Sequence, residues 1–175
     1  YDAIKDFAPV ATLASTEFVL VLHPSVPANN LREFIALAKS RPGQLNFASS
    51  GSGNLQHLAG EFFNILAGVK LQHIPYKGAG PAINDLIGGQ VQLYFGTPLG
   101  VIAHIKTGRL KALAISGETR LPALPQVPTF TEAGLPGAGV KVWYGVLAPV
   151  GTPKVVIERL SPEIAKILAM PEVKE

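Results

Sequence analysis

The densest supply of small hydrogen-bonding groups in this sequence is Ser49-Ser50-Gly51-Ser52-Gly53-Asn54. It lies between a strand-like apolar run, Leu45 to Ala48, and an amphipathic helical run, Leu55 to Leu66. A strand that breaks into hydroxyl-rich residues and feeds a helix start aims open backbone N–H groups and Ser hydroxyls at one point, which suits a carboxylate or a phosphate. The plainer reading is a helix cap, which Ser, Gly and Asn also make. Two later loops have the same character: Tyr76-Lys77-Gly78-Ala79-Gly80, and Gly96-Thr97 ahead of Pro98.

Catalytic constellations are not found. Gly51-Ser52-Gly53 lacks the third glycine of a dinucleotide fingerprint, and there is neither a Gly-Lys-Ser/Thr phosphate loop nor a Gly-x-Ser-x-Gly elbow with partners. His57 and Glu61 share a helix face, but His23, His73 and His104 fall on other elements, so no metal site is expected. No catalytic residue, metal or cofactor is assigned.

The elements that must position these loops follow from periodicity. Phe7 to Ala14 and Phe18 to Leu22 read as strands. Asn30 with Glu33 opens a helix to about Ser40, whose Leu31, Phe34, Ile35 and Ala38 share one face. Three strand-loop-helix units follow. Leu45 to Ala48 leads to a helix with Leu55, Leu58, Ala59, Phe62, Phe63 and Leu66 expected inward. Leu71 to Pro75 leads to a helix with Pro81 expected at its first position. Val91 to Phe95 leads to a helix capped by Thr97 and stopped at Gly108. A strand from Leu110 to Ile115 comes next. Such alternation argues for a parallel sheet with helices on its faces, and right-handed crossovers place the three loops at one carboxyl edge. Beyond Ser116 a Pro- and Gly-rich connector holds one capped turn, Thr129 to Ala133. An extended run from Val140 to Ala148 and a helix after Thr152-Pro153 close the chain, with Ile157, Leu160, Ile164, Ile167 and Leu168 expected inward. Trp143 and Tyr144 on that extended run read as packing residues before cleft-lining ones.

Composition narrows the function classes. A chain of 175 residues can bury one good core, or one complete domain plus part of another, and 47% hydrophobic against 15% charged residues argues against a disordered chain. The formal charge of +3 comes from scattered basic residues, which gives nucleic acid no stripe to bind. No Cys is present, so disulfide and thiol chemistry are excluded. No apolar run approaches the ~20 residues of a membrane span.

The order of motifs resembles a known family. Asp6-Phe7-Ala8-Pro9-Val10, Pro42-Gly43-Gln44-Leu45-Asn46-Phe47-Ala48-Ser49-Ser50-Gly51, Gln56-His57-Leu58-Ala59-Gly60-Glu61, Pro75-Tyr76-Lys77-Gly78, Gly88-Gly89-Gln90-Val91, Leu124-Pro125-Gln126-Val127-Pro128-Thr129 and Ala148-Pro149-Val150-Gly151-Thr152-Pro153 are similar to segments of the tripartite tricarboxylate transporter solute receptors, the Bug-type periplasmic binding proteins. The resemblance implies a type II periplasmic-binding-protein-like α/β fold: a parallel-sheet domain with helices on both faces plus part of a second α/β domain. On that expectation residues 1–24 belong to the first domain, 25–139 form the second, ligand-binding lobe, and 140–175 are the returning strand and helix of the first. It also implies extracytoplasmic, periplasmic capture of a small organic carboxylate without catalysis, and delivery to membrane transporter subunits. The family's loop 49–54 receives one ligand carboxylate, so the candidate ligand-binding residues are Ser49, Ser50, Gly51, Gly53, Gln56 and His57, with Tyr76, Gly78, Gly80 and Thr97 from the other two loops.

Relatives of this kind are longer, with an early Gly-rich ligand loop ahead of the part matching Tyr1, so the chain reads as a central fragment whose signal peptide lies outside it. A second copy could then complete the site by segment exchange. Many relatives place an Asp after the Phe where Gly96 stands, matching a ligand amino group; Gly96 favours plain carboxylic acids. The second reading is the effector-binding domain of a LysR-type transcription regulator, which shares the two-lobed fold, and the third is a small-molecule-modifying enzyme. An export leader upstream would mark the receptor and a helix-turn-helix the regulator.

Overall fold

The computed structural model describes residues 1–174. The chain divides into two compact units, Thr16–Lys141 and a second made of Tyr1–Ser15 with the chain from Val142 onward.

The larger unit is built on a five-stranded sheet in the order β4-β3-β5-β2-β6, with β2 Val19–Leu22, β3 Asn46–Ser49, β4 Gln72–Pro75, β5 Leu93–Gly96 and β6 Lys111–Ile115. β3 runs parallel to both β4 and β5, as expected of strand-helix-strand units. The sheet is nonetheless mixed, because β2 lies between β5 and β6 and is antiparallel to both. Every residue of β2 is buried, as its continuous apolar run, Val19-Leu20-Val21-Leu22, requires of a central strand.

The two-residue period of the strands divides the core. Val19, Val21, Ala48 and Tyr94 pack with Ala82 and Leu86 of α3 (Ala79–Ile87) and Val101 of α4 (Pro98–Lys106). An aromatic cluster joins Phe95 to Phe63 of α2 (Leu55–Ala67), which in turn meets Phe34 of α1 (Leu31–Ser40), with ring centroids 6.1 Å apart in both pairs. Each such buried ring removes enough apolar area from water to contribute about 1.5–3 kcal/mol.

The helix starts follow local chemistry. Asn30 Oδ1 accepts the Glu33 N–H at 2.9 Å, while the Glu33 carboxylate reaches back to the Asn29 N–H at 2.7 Å. This is a capping box displaced by one residue. In the Pro-rich connector, Thr129 Oγ1 and Glu132 form the same reciprocal pair, and the Arg120 guanidinium beside Glu132 holds that carboxyl below its ordinary range. Helix α3 begins earlier than expected: Pro81 is its third residue, tolerated because no N–H of the first turn has a partner within the helix.

α2 corrects a second expectation. Its buried face is Gln56, Ala59, Gly60, Phe63 and Ala67, while Leu55, Leu58, Phe62 and Leu66 are exposed. The reason is Gly60: a Cβ there would collide with the Phe47 ring, so the helix lies down on its small residues and turns its larger ones outward.

The smaller unit contains a two-stranded sheet of β1 (Phe7–Glu17, whose last two residues belong to the larger unit) and β7 (Lys141–Pro149), then α5 (Lys154–Leu168) and α6 (Pro171–Lys174). No residue of α5 is buried, so the expected inward set Ile157, Leu160, Ile164, Ile167 and Leu168 has no core here. Trp143 and Tyr144 are likewise 60% and 50% exposed, not packed in a core. Two strands offer too little area to cover an amphipathic helix.

Gly60→Ala is expected to destabilise the chain by about 1–3 kcal/mol through overpacking against Phe47, despite the better helix propensity of Ala. Urea unfolding followed by far-ultraviolet circular dichroism measures this, and an unchanged or raised midpoint would contradict it.

Candidate functional site

Parallel pairing of β4, β3 and β5 sends all three outgoing loops to one edge of the sheet. The register places Ser49 beside Pro75, and Ala48 beside Tyr94, so Gly96 ends β5 at the same rim. Val19 pairs with both Gly96 and Ile115, which brings the start of β2 and the end of β6 to that rim as well.

Two of the loops touch. Ser49 C=O accepts the Tyr76 N–H at 2.9 Å, and Ser50 C=O accepts the Gly78 N–H at 3.1 Å. Gly78 holds φ +115° as the cap of α3, with no side chain to occupy the helix start. A Cβ at Gly53, Gly78 or Gly80 would meet nothing, so all three line open space. Helix geometry leaves the Leu55 and Gln56 amides of α2, and those of Ala79 and Gly80 of α3, without a carbonyl in their own helices. Each helix start adds partial positive charge, worth about 0.3–1 kcal/mol for an anion at an exposed end.

The loop 49–54 is held from inside by its own side chains. Asn54 caps α2 by accepting the His57 N–H at 2.9 Å. Gln56 Oε1 accepts both the Ser50 N–H at 2.9 Å and the Ser50 hydroxyl at 2.6 Å, and Asn54 Nδ2 donates to Ser50 Oγ at 2.6 Å. Gln56 Nε2 donates to the Tyr94 hydroxyl at 2.6 Å, which anchors the loop to the middle of the sheet. Burial pushes the Tyr94 phenol up from its ordinary value, against the Gln56 hydrogen bond, which lowers it. Ser49 is fully buried: its Oγ donates to Gly51 C=O at 2.9 Å and lies 2.6 Å from His73 Nε2. Gly53 N–H donates to His57 Nδ1 at 3.0 Å.

The candidate residues therefore divide by geometry. Ser49, Ser50, Gln56 and His57 are tied into the scaffold of the loop. Gly51, at φ +150°, sits beside the Tyr76 carbonyl; Gly53, Gly78 and Gly80 leave open space where a side chain would stand, with the Gly53 and Gly78 amides spent on His57 and Ser50. Tyr76 donates its hydroxyl to Asp85 Oδ2 at 2.8 Å, and burial first, then that carboxylate, pushes the phenol up to about 12. Its proton is committed, and its ring is what remains to wall the rim. Thr97 caps α4 by position, without a side-chain cap bond, so its hydroxyl is uncommitted to the helix. Gly96 carries no side chain because a Cβ would collide with Val101.

Several residues of the site had no individual signal in the sequence. Asp85 and Tyr94 matter through partners on other elements, Tyr76 and Gln56, and His73 comes from β4. A cavity of 340 Å³ at the β6 end of the larger unit is lined by Glu17, Ser116, Glu118, Thr119 and Lys141, among others. Its nearness to the rim follows only from β2 entering the sheet antiparallel.

An α/β sheet whose strand ends present helix starts at one rim is the architecture of a periplasmic binding protein domain. The sequence profile described as the tripartite tricarboxylate transporter family receptor, TctC, matches residues 1–175, and the chain belongs to that family. It is 39% identical over 158 residues to protein BugT of Bordetella pertussis, covering 90% of this chain and 48% of BugT. Among solved structures it resembles MatC (Rpa3494) from Rhodopseudomonas palustris with bound malate, at 33% identity and TM-score 0.92, covering 99% of this chain and 59% of that one. It also resembles R. palustris Rpa4515 with adipate, at 32% identity and TM-score 0.90, covering 99% and 58%. The chain spans about half the length of the curated relatives it matches.

Gln56→Leu is expected to cost about 1–3 kcal/mol, because it strands the Ser50 amide and the Tyr94 hydroxyl. Chemical denaturation at neutral pH measures it, and wild-type stability would count against the Gln56 anchor. Tyr76, raised from 10.0 to about 12, favours the folded state fully below pH 10.0, and that contribution is lost as pH rises through about 12. Ultraviolet titration should show Tyr76 and Tyr94 ionising late, and Asp85→Asn should move the Tyr76 step down; two unmoved late steps contradict the Tyr76–Asp85 pair.

Proposed function

We propose that this chain is the ligand-binding part of a periplasmic receptor that captures a small organic carboxylate and presents it to the membrane subunits of a tripartite tricarboxylate-type transporter, without chemical conversion. The observation that carries the reading is the convergence of three strand-to-helix loops on one sheet edge, two of them hydrogen-bonded to each other. Open amides at two helix starts and the free Thr97 hydroxyl offer several weak donors to an anion, with no Arg fork among the candidates. Binding of this kind relies on donors held in place beforehand, and water completes the remaining contacts. Proteins of similar fold hold malate and adipate, which fits a site for acids of that size.

The absence of a side chain at Gly96 shapes selectivity. With no carboxylate at that position to meet an ammonium group, acids lacking an amino group are favoured over amino acids.

Titration calorimetry of the full-length receptor against a panel of mono-, di- and tricarboxylates, their amides and the matching amino acids tests the reading. Saturable heat is expected with at least one carboxylate and none with its amide. Thr97→Val, which keeps the volume and removes the hydroxyl, is expected to weaken that binding about tenfold, the scale of one hydrogen bond to a charged group. No heat with any acid would overturn the proposal, as would turnover of the bound acid.

A further inference from the structure

The side chains behind the loop 49–54 form a cluster that the binding reading does not use. His57 of α2 and His73 of β4 stack face to face, with ring centroids 3.8 Å apart and planes inclined by 17°. Phe47 of β3 backs both, 5.0 Å from His73 and 6.4 Å from His57. Each imidazole holds a different point of the loop: His57 Nδ1 takes the Gly53 N–H, and His73 Nε2 takes Ser49 Oγ.

The network assigns the protons. Gly53 N–H can only donate, so His57 Nδ1 is bare and the neutral ring carries its hydrogen on Nε2. With the Ser49 hydrogen assigned to the Gly51 carbonyl, Ser49 Oγ accepts from the Gly51 N–H at 3.2 Å and from His73 Nε2–H at 2.6 Å. A proton arriving on the neutral pair has two places to go. On His73 Nδ1 it leaves the Ser49 bond intact. On His57 Nδ1 it sets two donors against each other, and Gly53 must let go.

We propose that the stacked His57–His73 pair is the positioning element of the anion loop, and that one proton taken up at His57 Nδ1 unlatches Gly53 and weakens ligand binding. The effect on ligand rests on the receptor reading above; the latch itself does not. The charged group that faces the pair is Glu61, one turn along α2, with Oε1 3.9 Å from His57 Nε2. β3 contributes Phe47 and Ser49, and the loop contributes Gly53, all uncharged. Burial first, and the neighbouring His57 second, hold the His73 imidazole below its ordinary 6.5, while Glu61 pulls the other way. The sign follows from the geometry: the latch holds while His57 Nδ1 is bare and is lost when acidification places a proton there. Positive charge gained by His57 also attracts an anion, but at a partly exposed ring it is screened, whereas loss of the latch removes a fixed donor geometry.

Two measurements on the full chain test this. In wild-type protein compared at about pH 7.5 and 5.5, the range in which histidines change charge, the Gly53 amide resonance should move together with the His57 ring resonances. Malate, used as the probe anion, should bind about tenfold more weakly at the lower pH. His57→Asn carries its amide oxygen on Cγ, where His57 carries Nδ1, and so offers Gly53 an acceptor that cannot be protonated at these pH values. Whatever its affinity at the higher pH, its ratio between the two pH values should fall to that set by malate's own ionisation. A Gly53 amide that does not move with pH overturns the latch, and a wild-type ratio no larger than that of His57→Asn overturns the positioning role. A Gly53 amide that titrates in a protein that binds no acid at all supports the latch and defeats the receptor reading instead.

Discussion

The pairing of β3 with β4 on one side and β5 on the other, all in one direction, is the constraint on which everything else depends. Parallel neighbours leave their chain reversals at the same edge, so three loops separated by tens of residues become neighbours. A loop placed alone at a strand end would cap its helix and do nothing more. Placed side by side, loops 49–54 and 76–80 share two backbone hydrogen bonds, and their helix starts open onto common space. Small donors that are individually weak then act on one ligand.

A second constraint is that such a rim must be rigid to be useful. The loop 49–54 is held by a polar chain from Asn54 through Ser50 and Gln56 to the buried Tyr94, and by two imidazoles standing on Phe47. The same Phe47 ring excludes a side chain at Gly60 and so sets the rotation of α2, which brings Gln56 inward and keeps His57 over His73. Core packing and loop geometry are in this way one arrangement: the residue that seats the helix also seats the rings that hold the loop.

Much of this was legible in the residues. Strand-loop-helix alternation announced the α/β class, and breaker residues located the elements up to α5 within a few positions, while the short α6 was not foreseen. Asn30-Glu33 and Thr129-Glu132 marked their caps correctly, because capping is local and depends on side chains three residues apart. The motifs shared with the receptor family pointed to the same fold. What stayed hidden was set by distant partners. The antiparallel entry of β2 between β5 and β6 has no local signature, since a continuous apolar strand reads alike in either direction. The face that α2 buries was misread because a glycine and alanines, rather than its leucines, fit beneath Phe47. In α5 three of the residues expected inward, Ile157, Ile164 and Leu168, are half-buried, while Leu160 and Ile167 are exposed.

The sequence alone determined the class of fold, the positions of three small-residue loops before helices, and the chemistry they offer, an array of amides and hydroxyls suited to an anion. Those properties are local, carried by residue type and by spacing over a few positions. Only the tertiary structure decided which donors are spent and which remain. Ser49, Ser50, Gln56 and Tyr76 are committed to His73, Gly51, Tyr94 and Asp85 as well as to one another, and the Gly53 and Gly78 amides to His57 and Ser50, while the amides that open α2 and α3 have no carbonyl in their own helices and Thr97 makes no side-chain cap bond. A hydrogen bond consumes a donor wherever its partner lies in the chain, so that division becomes visible only when strands β3, β4 and β5 stand side by side.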